Sequence, residues 1–115
     1  MDAECLFCRI AAGTVPSTKV HADDRVIAFR DIAPAAPVHV LLMPRRHVAS
    51  AADLGDDDGG LLGHLFAVAN EVAEREGIAG SGFRIVTNVG PDSGYTVPHL
   101  HFHLLGGRRM SWPPG

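Results

Sequence analysis

A strict alternation of histidine and apolar side chains runs from position 98 to position 105. The histidines are His99, His101 and His103, and the apolar residues between and after them are Leu100, Phe102 and Leu104. Successive side chains of a strand point to opposite faces, so this period predicts a half-buried strand over 96–105 with all its imidazoles on one face. Imidazoles titrate near neutral pH, so a row of them indicates proton transfer, nucleophilic attack or metal binding.

The spacing of the histidines limits how they can share a metal. Same-face neighbours of a strand lie roughly 6.6 Å apart, and the outer members of such a row about 13 Å apart. A neighbouring pair could hold one ion, but three imidazoles closing on one ion from a single strand are not expected. The spacing favours a site in which the three imidazoles have different roles. It favours this over a metal site with all three as ligands, and over a row of ordinary surface histidines.

Length and composition are those of an ordinary globular chain. The 115 residues are 46% hydrophobic and 20% charged, with a net charge of -3, and we expect one domain over 1–115 with a genuine core. A negative net charge argues against a nucleic-acid-binding surface and against a polybasic membrane anchor. Binding of small nucleotides stays possible. The acidic start lacks a signal-peptide pattern and no segment is long and apolar enough to span a membrane, so we expect a cytoplasmic protein.

Hydrophobic periodicity and turn residues predict about five strands and one long helix. A short helix is expected at 6–12, strands at 19–22, 25–31, 38–43, 82–88 and 96–105, and the long helix from the Asp56–Asp58 triplet to Gly77. The prolines Pro34 and Pro37 make the segment between them a loop. The short connections favour an α+β fold with a mostly antiparallel sheet.

The only two cysteines stand in the run Cys5-Leu6-Phe7-Cys8. A redox pair is expected after a strand of a βαβ unit, and no strand precedes this run. A disulfide is not expected in a cytosolic chain. A structural zinc needs further ligands to close its tetrahedron, and the residues alone leave zinc and free thiols both open.

Beyond these patterns, the chain resembles the histidine-triad (HIT) nucleotide-binding family, and in particular its Hint-like branch. The family motif, His-φ-His-φ-His-φ-φ with φ apolar, matches from His99 to Leu105. Further matches are the segment from Phe29 to Pro37, the segment from His39 to His47, Asn88, 94–97, and the tail from Gly106 to Gly115 with its Trp-Pro-Pro-Gly sequence.

The resemblance implies a homodimer in which each subunit adds five antiparallel strands to one continuous sheet. It also implies hydrolysis of purine nucleoside 5′-phosphoramidates, such as adenylated amines or adenylated lysine, through a covalent nucleotidyl-histidine. In that family pattern His101 is the nucleophile, with a proton held on its far ring nitrogen by a backbone carbonyl, most simply that of His99. His103 contacts a phosphate oxygen or the leaving group, and His39 supports it by hydrogen bonding and proton relay.

The resemblance also implies a nucleotide site and a metal site. Asp31 would accept the ribose hydroxyls, while Ile32 and Phe29, with Leu6, would pack on the base. Phosphate donors would come from Asn88, Thr96 and the backbone around Gly94 and Val97. Many bacterial-type relatives complete a zinc site with the Pro-x-x-His histidine and the first triad histidine, which gives the ligand set Cys5, Cys8, His47 and His99.

Other interpretations of the chain remain. They are a dinucleoside polyphosphate hydrolase with the same nucleophile, a nucleotide-binding regulatory module with little turnover, and a metal enzyme that uses the triad as ligands. His21 and His64 belong to none of these predicted sites, and we expect them to be exposed residues of a strand and a helix, respectively. Trp112 and its neighbouring prolines are expected to be rigid and exposed.

Overall fold

A computed structural model describes residues 4–94 and 97–115. Its strands form a 5-stranded sheet in the order β1-β2-β3-β5-β4, with every neighbouring pair antiparallel. The elements are α1 Leu6–Ala12, β1 Lys19–Ala22, β2 Val26–Arg30, β3 Val38–Pro44, α2 Gly59–Arg75, β4 Phe83–Val86 and β5 Phe102–Gly106. This confirms the α+β class with one antiparallel sheet, one short helix and one long helix.

The short helix α1 covers one face of the sheet. It begins after Cys5, whose sulfur accepts a hydrogen bond from the Cys8 N–H, and ends at Gly13, which has the left-handed φ of 81° that favours glycine. Its apolar residues pack on side chains that point to this face from β2 and β3. The cluster consists of Cys5, Phe7, Cys8, Ile10, Ala11, Ile27, Phe29, Leu41 and Met43, and we call this side the α1 face.

The long helix α2 covers the opposite face of the sheet. Leu65, Val68, Ala69, Val72 and Ala73 form its buried stripe, at the spacing that brings one side of a helix against a core. They pack on the alternate residues of the strands, including Leu100, Phe102 and Leu104. The acidic triplet Asp56–Asp58 forms a single turn of 3-10 helix directly before α2. We call this side the α2 face.

The histidine strand is shorter than the alternation predicts. Regular pairing covers Phe102–Gly106, and the backbone bends at 98–99. Pro98 has no N–H to donate to a sheet, which accounts for the irregular start of the strand. Leu100 N–H instead donates to the Val48 carbonyl at 2.6 Å. The alternation of faces still holds, because Leu100 lies in the α2-face core while the ring of His99 packs edge-on against Phe7 of α1.

Other strand limits differ from expectation by a few residues at their ends. The strands predicted at 25–31 and 82–88 are shorter, at Val26–Arg30 and Phe83–Val86, and the strand predicted at 38–43 includes Pro44. Within the described residues, no helix is long and apolar enough to cross a membrane.

Candidate active site

Three imidazoles form a contiguous group on the α1 face. In β3, His39 stands two residues before Leu41, a member of the α1-face cluster, and Leu41 is paired with His103 of β5. The ring centroids of His39 and His103 lie 5.1 Å apart, as do those of His101 and His103. Adjacent antiparallel strands therefore bring together residues that are far apart in the sequence.

Hydrogen bonding fixes the tautomer of His101. Its Nδ1 lies 2.7 Å from the carbonyl oxygen of His99, and because a carbonyl only accepts, Nδ1 carries the proton of the neutral ring. The lone pair therefore lies on Nε2. The ring is buried, and Phe7 packs edge-on against it with centroids 4.9 Å apart.

A second chain of hydrogen bonds sets the tautomers of His39 and His103. The Ala35 N–H donates to His39 Nδ1 at 3.0 Å, so the neutral His39 ring carries its proton on Nε2. That nitrogen lies 2.8 Å from His103 Nδ1 and donates to it. The proton of a neutral His103 is consequently on Nε2, where it can be presented to a ligand. Asp31 Oδ2 also lies near this chain of hydrogen bonds, 3.4 Å from His39 Nε2.

Burial keeps the His39–His103 pair neutral in the free protein. Burial, together with the neighbouring rings of His101 and His39, lowers the pKa of His103 to about 4, against a smaller opposing effect of Asp31. Burial also lowers the pKa of His39, again opposed by the Asp31 carboxylate. An anion bound beside these rings would favour their charged forms and raise both pKa values.

His99 belongs to a different group on the same face. Its Nε2 lies 2.9 Å from the Pro44 carbonyl, which leaves the lone pair on Nδ1, and its Nδ1 lies 3.4 Å from the sulfur of Cys5 and 3.4 Å from that of Cys8. His47 Nδ1 lies 3.2 Å from Cys8 Sγ. His99 is fully buried, and burial is also the main cause that lowers its pKa.

The donor set of this group fits a tetrahedral metal. Each residue offers one ligand atom, and the four ligand atoms of Cys5, Cys8, His47 and His99 lie within 4.8 Å of one another. A tetrahedral zinc with ordinary bond lengths separates sulfur from nitrogen by roughly 3.5 Å, close to the observed 3.2 to 3.4 Å. The structure thus brings together all four residues of the expected ligand set as a group that could bind a metal.

Three of the residues expected at the nucleotide, Phe29, Asp31 and Ile32, lie at the end of β2 or in the loop that follows it. Asp31 follows β2, and its Oδ1 accepts a hydrogen bond from the Ala33 N–H at 2.8 Å. Ile32 is 99% exposed. Phe29 is buried, with its ring edge-on to Phe7 at 5.6 Å, and Leu6 is exposed at the surface of α1.

The expected phosphate donors follow β4 and precede the histidine strand. Asn88 is partly buried two residues beyond the end of β4, and Gly94 has a φ of 102°. Val97 packs beside the α1-face cluster, and its carbonyl accepts a hydrogen bond from His99 N–H at 2.7 Å. Thr96 lies outside the described residues.

Two neighbours of His101 were not singled out by the sequence. Phe7 stands between the cysteines and contacts the rings of both His99 and His101, and its position inside Cys-x-x-Cys is a signal that could have marked it. Thr87 donates its hydroxyl hydrogen to the His101 carbonyl at 2.8 Å. Its role depends on the pairing of β4 with β5, which local sequence does not reveal.

The expectation that His21 and His64 are merely exposed is wrong. Each ring is partly buried, and each Nε2 contacts Asp23 Oδ2, at 2.6 Å from His21 and 2.7 Å from His64. The sequence places His21 and Asp23 beside one turn, but only the packing of α2 on the hairpin brings His64 to them. Trp112 is exposed as expected, and the Arg84 guanidinium lies 5.8 Å from its ring centroid.

Comparisons with known proteins agree with this geometry. Residues 12–110 match the pattern of the HIT domain. A HIT-like protein of Synechococcus elongatus, itself uncharacterized, is 44% identical over 115 residues, all of both chains. Adenylylsulfatase HINT1 of Arabidopsis thaliana is 46% identical over 116 residues, which span 99% of this chain and 78% of the relative. The crystal structure of a HIT family hydrolase from Legionella pneumophila superposes with a TM-score of 0.95 at 48% identity, over 97% of this chain and 100% of the other.

Proposed function

The chain belongs to the HIT domain family, and on this premise we propose that it is a nucleotidyl hydrolase that cleaves purine nucleoside 5′-phosphoramidates. The family and its hydrolase relatives support the general class of reaction. The observation that carries the proposal is the tautomer of His101, whose Nδ1–H···O=C bond to His99 leaves Nε2 as an unprotonated nucleophile.

In the proposed first step, His101 Nε2 attacks the α-phosphorus and the phosphorus–nitrogen bond breaks. A phosphorus–imidazole bond forms, and the positive charge of the substituted ring is shared with Nδ1–H. The bond from Nδ1–H to the His99 carbonyl then becomes charge-assisted and stronger. Splitting one displacement into two steps is the advantage of a covalent intermediate. Water then attacks the same phosphorus, the phosphorus–imidazole bond breaks, and the proton of the water passes to His103, the proposed proton donor of the first step. The neutral ring of His101 is restored and the nucleoside monophosphate is released.

The departing amine needs a proton, and His103 is the proposed donor. Its Nε2–H points away from the bond that its Nδ1 accepts from His39. In the free protein the pKa of about 4 keeps His103 neutral, so the anionic substrate must raise that pKa before the ring can act as an acid. His39, held by Ala35 N–H and lying near Asp31, orients His103 through the hydrogen bond between His39 Nε2 and His103 Nδ1.

The loop after β2 is the proposed nucleoside site. Asp31 has a second carboxylate oxygen besides the one that caps Ala33 N–H, and a carboxylate can accept from both hydroxyls of a ribose. Ile32 offers an apolar surface to the base, and Phe29 supports it from below. We assign the phosphate contacts to Asn88, Thr96 and the backbone at Gly94 and Val97, as in the family pattern.

We propose that the group of Cys5, Cys8, His47 and His99 holds a structural zinc ion. With all its ligand positions filled by protein, such an ion supplies a crosslink and no open position for chemistry. It would tie the amino-terminal helix and the Pro44–His47 segment to the residue that carries the carbonyl partner of His101. Metal analysis of gently purified protein should find at least one zinc per chain.

A homodimer with one continuous sheet is the proposed assembly. The strand order leaves β4 at one edge of the sheet, and an unpaired edge is a template for pairing with a second copy about a two-fold axis. Light scattering should give twice the chain mass of 12.2 kDa. A monomer at micromolar concentration would overturn this assignment without touching the proposed chemistry.

Adenylyl sulfate is a second candidate substrate. It is favoured by the similarity to the Arabidopsis protein whose name gives it as substrate. Sulfate leaves as a stable anion that needs no proton, whereas an amine must be protonated. The dependence on His103 therefore separates the two substrates.

The deciding experiment is release of AMP from adenosine 5′-phosphoramidate by the wild type and by His101→Ala. His64→Gln, on the opposite face of the sheet, is the matched histidine control. We expect turnover in the wild type and the control, none in folded His101→Ala, and an AMP-sized mass increment on rapidly quenched wild type. A folded wild type that binds AMP without turning over would favour the regulatory-module interpretation. Loss of activity to a chelator in a variant that lacks both cysteines would favour the metal enzyme.

A further inference from the structure

Two imidazoles and a carboxylate converge on the α2 face, on the other side of the sheet from the triad. His21 lies on β1, where it is paired with Ala28 of the α2-face core. His64 lies on α2. Both rings present Nε2 to the same oxygen, Oδ2 of Asp23, at 2.6 Å and 2.7 Å. The residues come from two separate elements, so the arrangement is a product of tertiary packing.

The carboxylate of this group is fixed before any ligand arrives. Asp23 Oδ1 accepts hydrogen bonds from the Arg25 and Val26 N–H groups, both at 2.8 Å. These bonds leave Oδ2 directed at the imidazoles. Burial alone would raise the pKa of Asp23, but the hydrogen bonds from His21, His64 and the backbone together lower it well below its ordinary value. The group therefore carries a negative charge at neutral pH and faces neutral or positive partners.

We infer that His21, Asp23 and His64 form a second metal site, which takes a zinc-class divalent transition-metal ion through two imidazole nitrogens and one carboxylate oxygen. Nitrogen and oxygen ligands of this kind suit zinc, nickel and copper. The three ligand atoms lie within 4.8 Å of one another. The side chains are 20%, 25% and 27% exposed, so an ion can enter and water can complete its coordination.

Binding requires only small changes in the group. Ordinary metal–nitrogen and metal–oxygen bonds near 2.0 to 2.2 Å place the ligand atoms roughly 3.4 Å apart in a tetrahedral site. Each imidazole must therefore withdraw from Oδ2 by about 0.7 Å, which a side-chain rotation supplies. The ring nitrogen that faces the ion must be unprotonated, with the proton of the ring on Nδ1, so the ion replaces the two hydrogen bonds to Asp23 Oδ2. The bound ion would clamp the β1–β2 turn to α2.

This site differs from the cysteine-containing group in both ligands and place. It holds no sulfur and lies across the sheet, so the two sites can be separated by spectroscopy and by substitution. His64→Gln is the sharpest variant because the glutamine amide can still donate a hydrogen bond to Asp23 Oδ2. His21→Gln is its counterpart on the strand, and Cys5→Ser with Cys8→Ser is the control that removes the other site.

The test is the zinc content of metal-stripped protein after equilibration with micromolar Zn²⁺ and dialysis. We expect each glutamine variant to hold one equivalent less per chain than the wild type, and the cysteine variant to keep that equivalent. An unchanged zinc content in folded His64→Gln and His21→Gln would overturn the site. In the unaltered protein, paramagnetic Ni²⁺ should broaden the ring proton signals of His21 and His64. Sharp signals for both rings at saturating Ni²⁺ would overturn it without any substitution.

Discussion

His99 and His101 are separated by one residue and lie on the same face, yet they carry their protons on opposite ring nitrogens. His99 donates from Nε2 to the Pro44 carbonyl and turns Nδ1 toward the cysteines. His101 donates from Nδ1 to the His99 carbonyl and keeps its lone pair on Nε2. The difference teaches that the backbone carbonyl chosen by each ring decides whether a histidine is suited to hold a metal or to attack a substrate.

The surroundings of the two rings reinforce this division. The ring of His99 is closed in by two sulfurs and by His47 at a centroid distance of 5.0 Å. The ring of His101 lies between Phe7 and His103. His103 is hydrogen-bonded to His39, which lies near Asp31 of the polar loop after β2. The first group offers four protein ligand atoms for one metal ion, whereas the second turns the lone pair of His101 Nε2 toward a ligand.

The strongest test of this comparison is His101→Gln. The glutamine amide can keep a hydrogen bond to the His99 carbonyl but cannot form the covalent intermediate, so phosphoramidate turnover should fall by about 10⁴-fold or more. Zinc content, measured on the same preparation, should stay unchanged. A folded variant that loses its metal would show that the two groups are not separable.

A smaller effect is expected for His103→Asn, and it depends on the leaving group. Turnover of the phosphoramidate should fall by about 10²-fold, the usual contribution of a general acid. Turnover of adenylyl sulfate should fall by less than about 10-fold, because sulfate needs no proton to depart. Steady-state rates on both substrates check this, and equal losses would remove His103 from the role of proton donor.

Removing the sulfurs tests the other side of the comparison. Cys5→Ser with Cys8→Ser should lower the free energy of unfolding by about 2 kcal/mol or more, because a structural metal stabilises the folded chain. Denaturant unfolding of metal-loaded protein measures this. The folded variant should keep kcat within about threefold of the wild type, since the proposed metal site, with four protein ligands, would leave no open position for a substrate. A folded variant without turnover would contradict the division of tasks.

The smallest effect is on the pH dependence of stability. The pKa of His103 is lowered to about 4 in the folded protein, from 6.5. Between these values the unfolded chain binds a proton that the folded chain excludes, so stability falls as the pH drops from 6.5 to 4. The slope from this ring is below about 1.4 kcal/mol per pH unit because His103 is partly exposed. Thermal unfolding of His103→Asn should show a flatter profile, and superimposable profiles would exclude a buried neutral ring.

Much of the fold was predictable because local patterns agree with the tertiary structure. The boundaries of α1 follow from the apolar run and from Gly13 after it, and β1 and β3 follow from short apolar segments bounded by turn residues. The start of β5 was not predictable from alternation alone. A periodic side-chain pattern reports which face each residue occupies, whereas Pro98 and the bond from Leu100 to Val48 decide where strand pairing begins.

The candidate site was predictable only in part. The resemblance to bacterial-type relatives of the family supplied the metal-ligand set, and the structure brings those residues together. The contacts of Phe7 and Thr87 with His101 depend on packing between elements distant in sequence. The same holds for His64, which is 41 residues from Asp23. A single sequence does not reveal the pairings of Thr87 and His64, because neither of these two residues changes the local periodicity.

The position of Phe7 shows that the residues around His101 are not confined to the segment that matches the HIT domain. The pattern of the HIT domain begins at residue 12, yet the phenyl ring just before it contacts the ring of His101 at a centroid distance of 4.9 Å. Cys5 and Cys8, on either side of Phe7, lie in the same buried cluster of the α1 face. An evolutionary or engineered change upstream of the shared domain can therefore act directly on His101, the proposed nucleophile. Two relatives that agree throughout the matched region need not share reactivity if their amino-terminal turns differ.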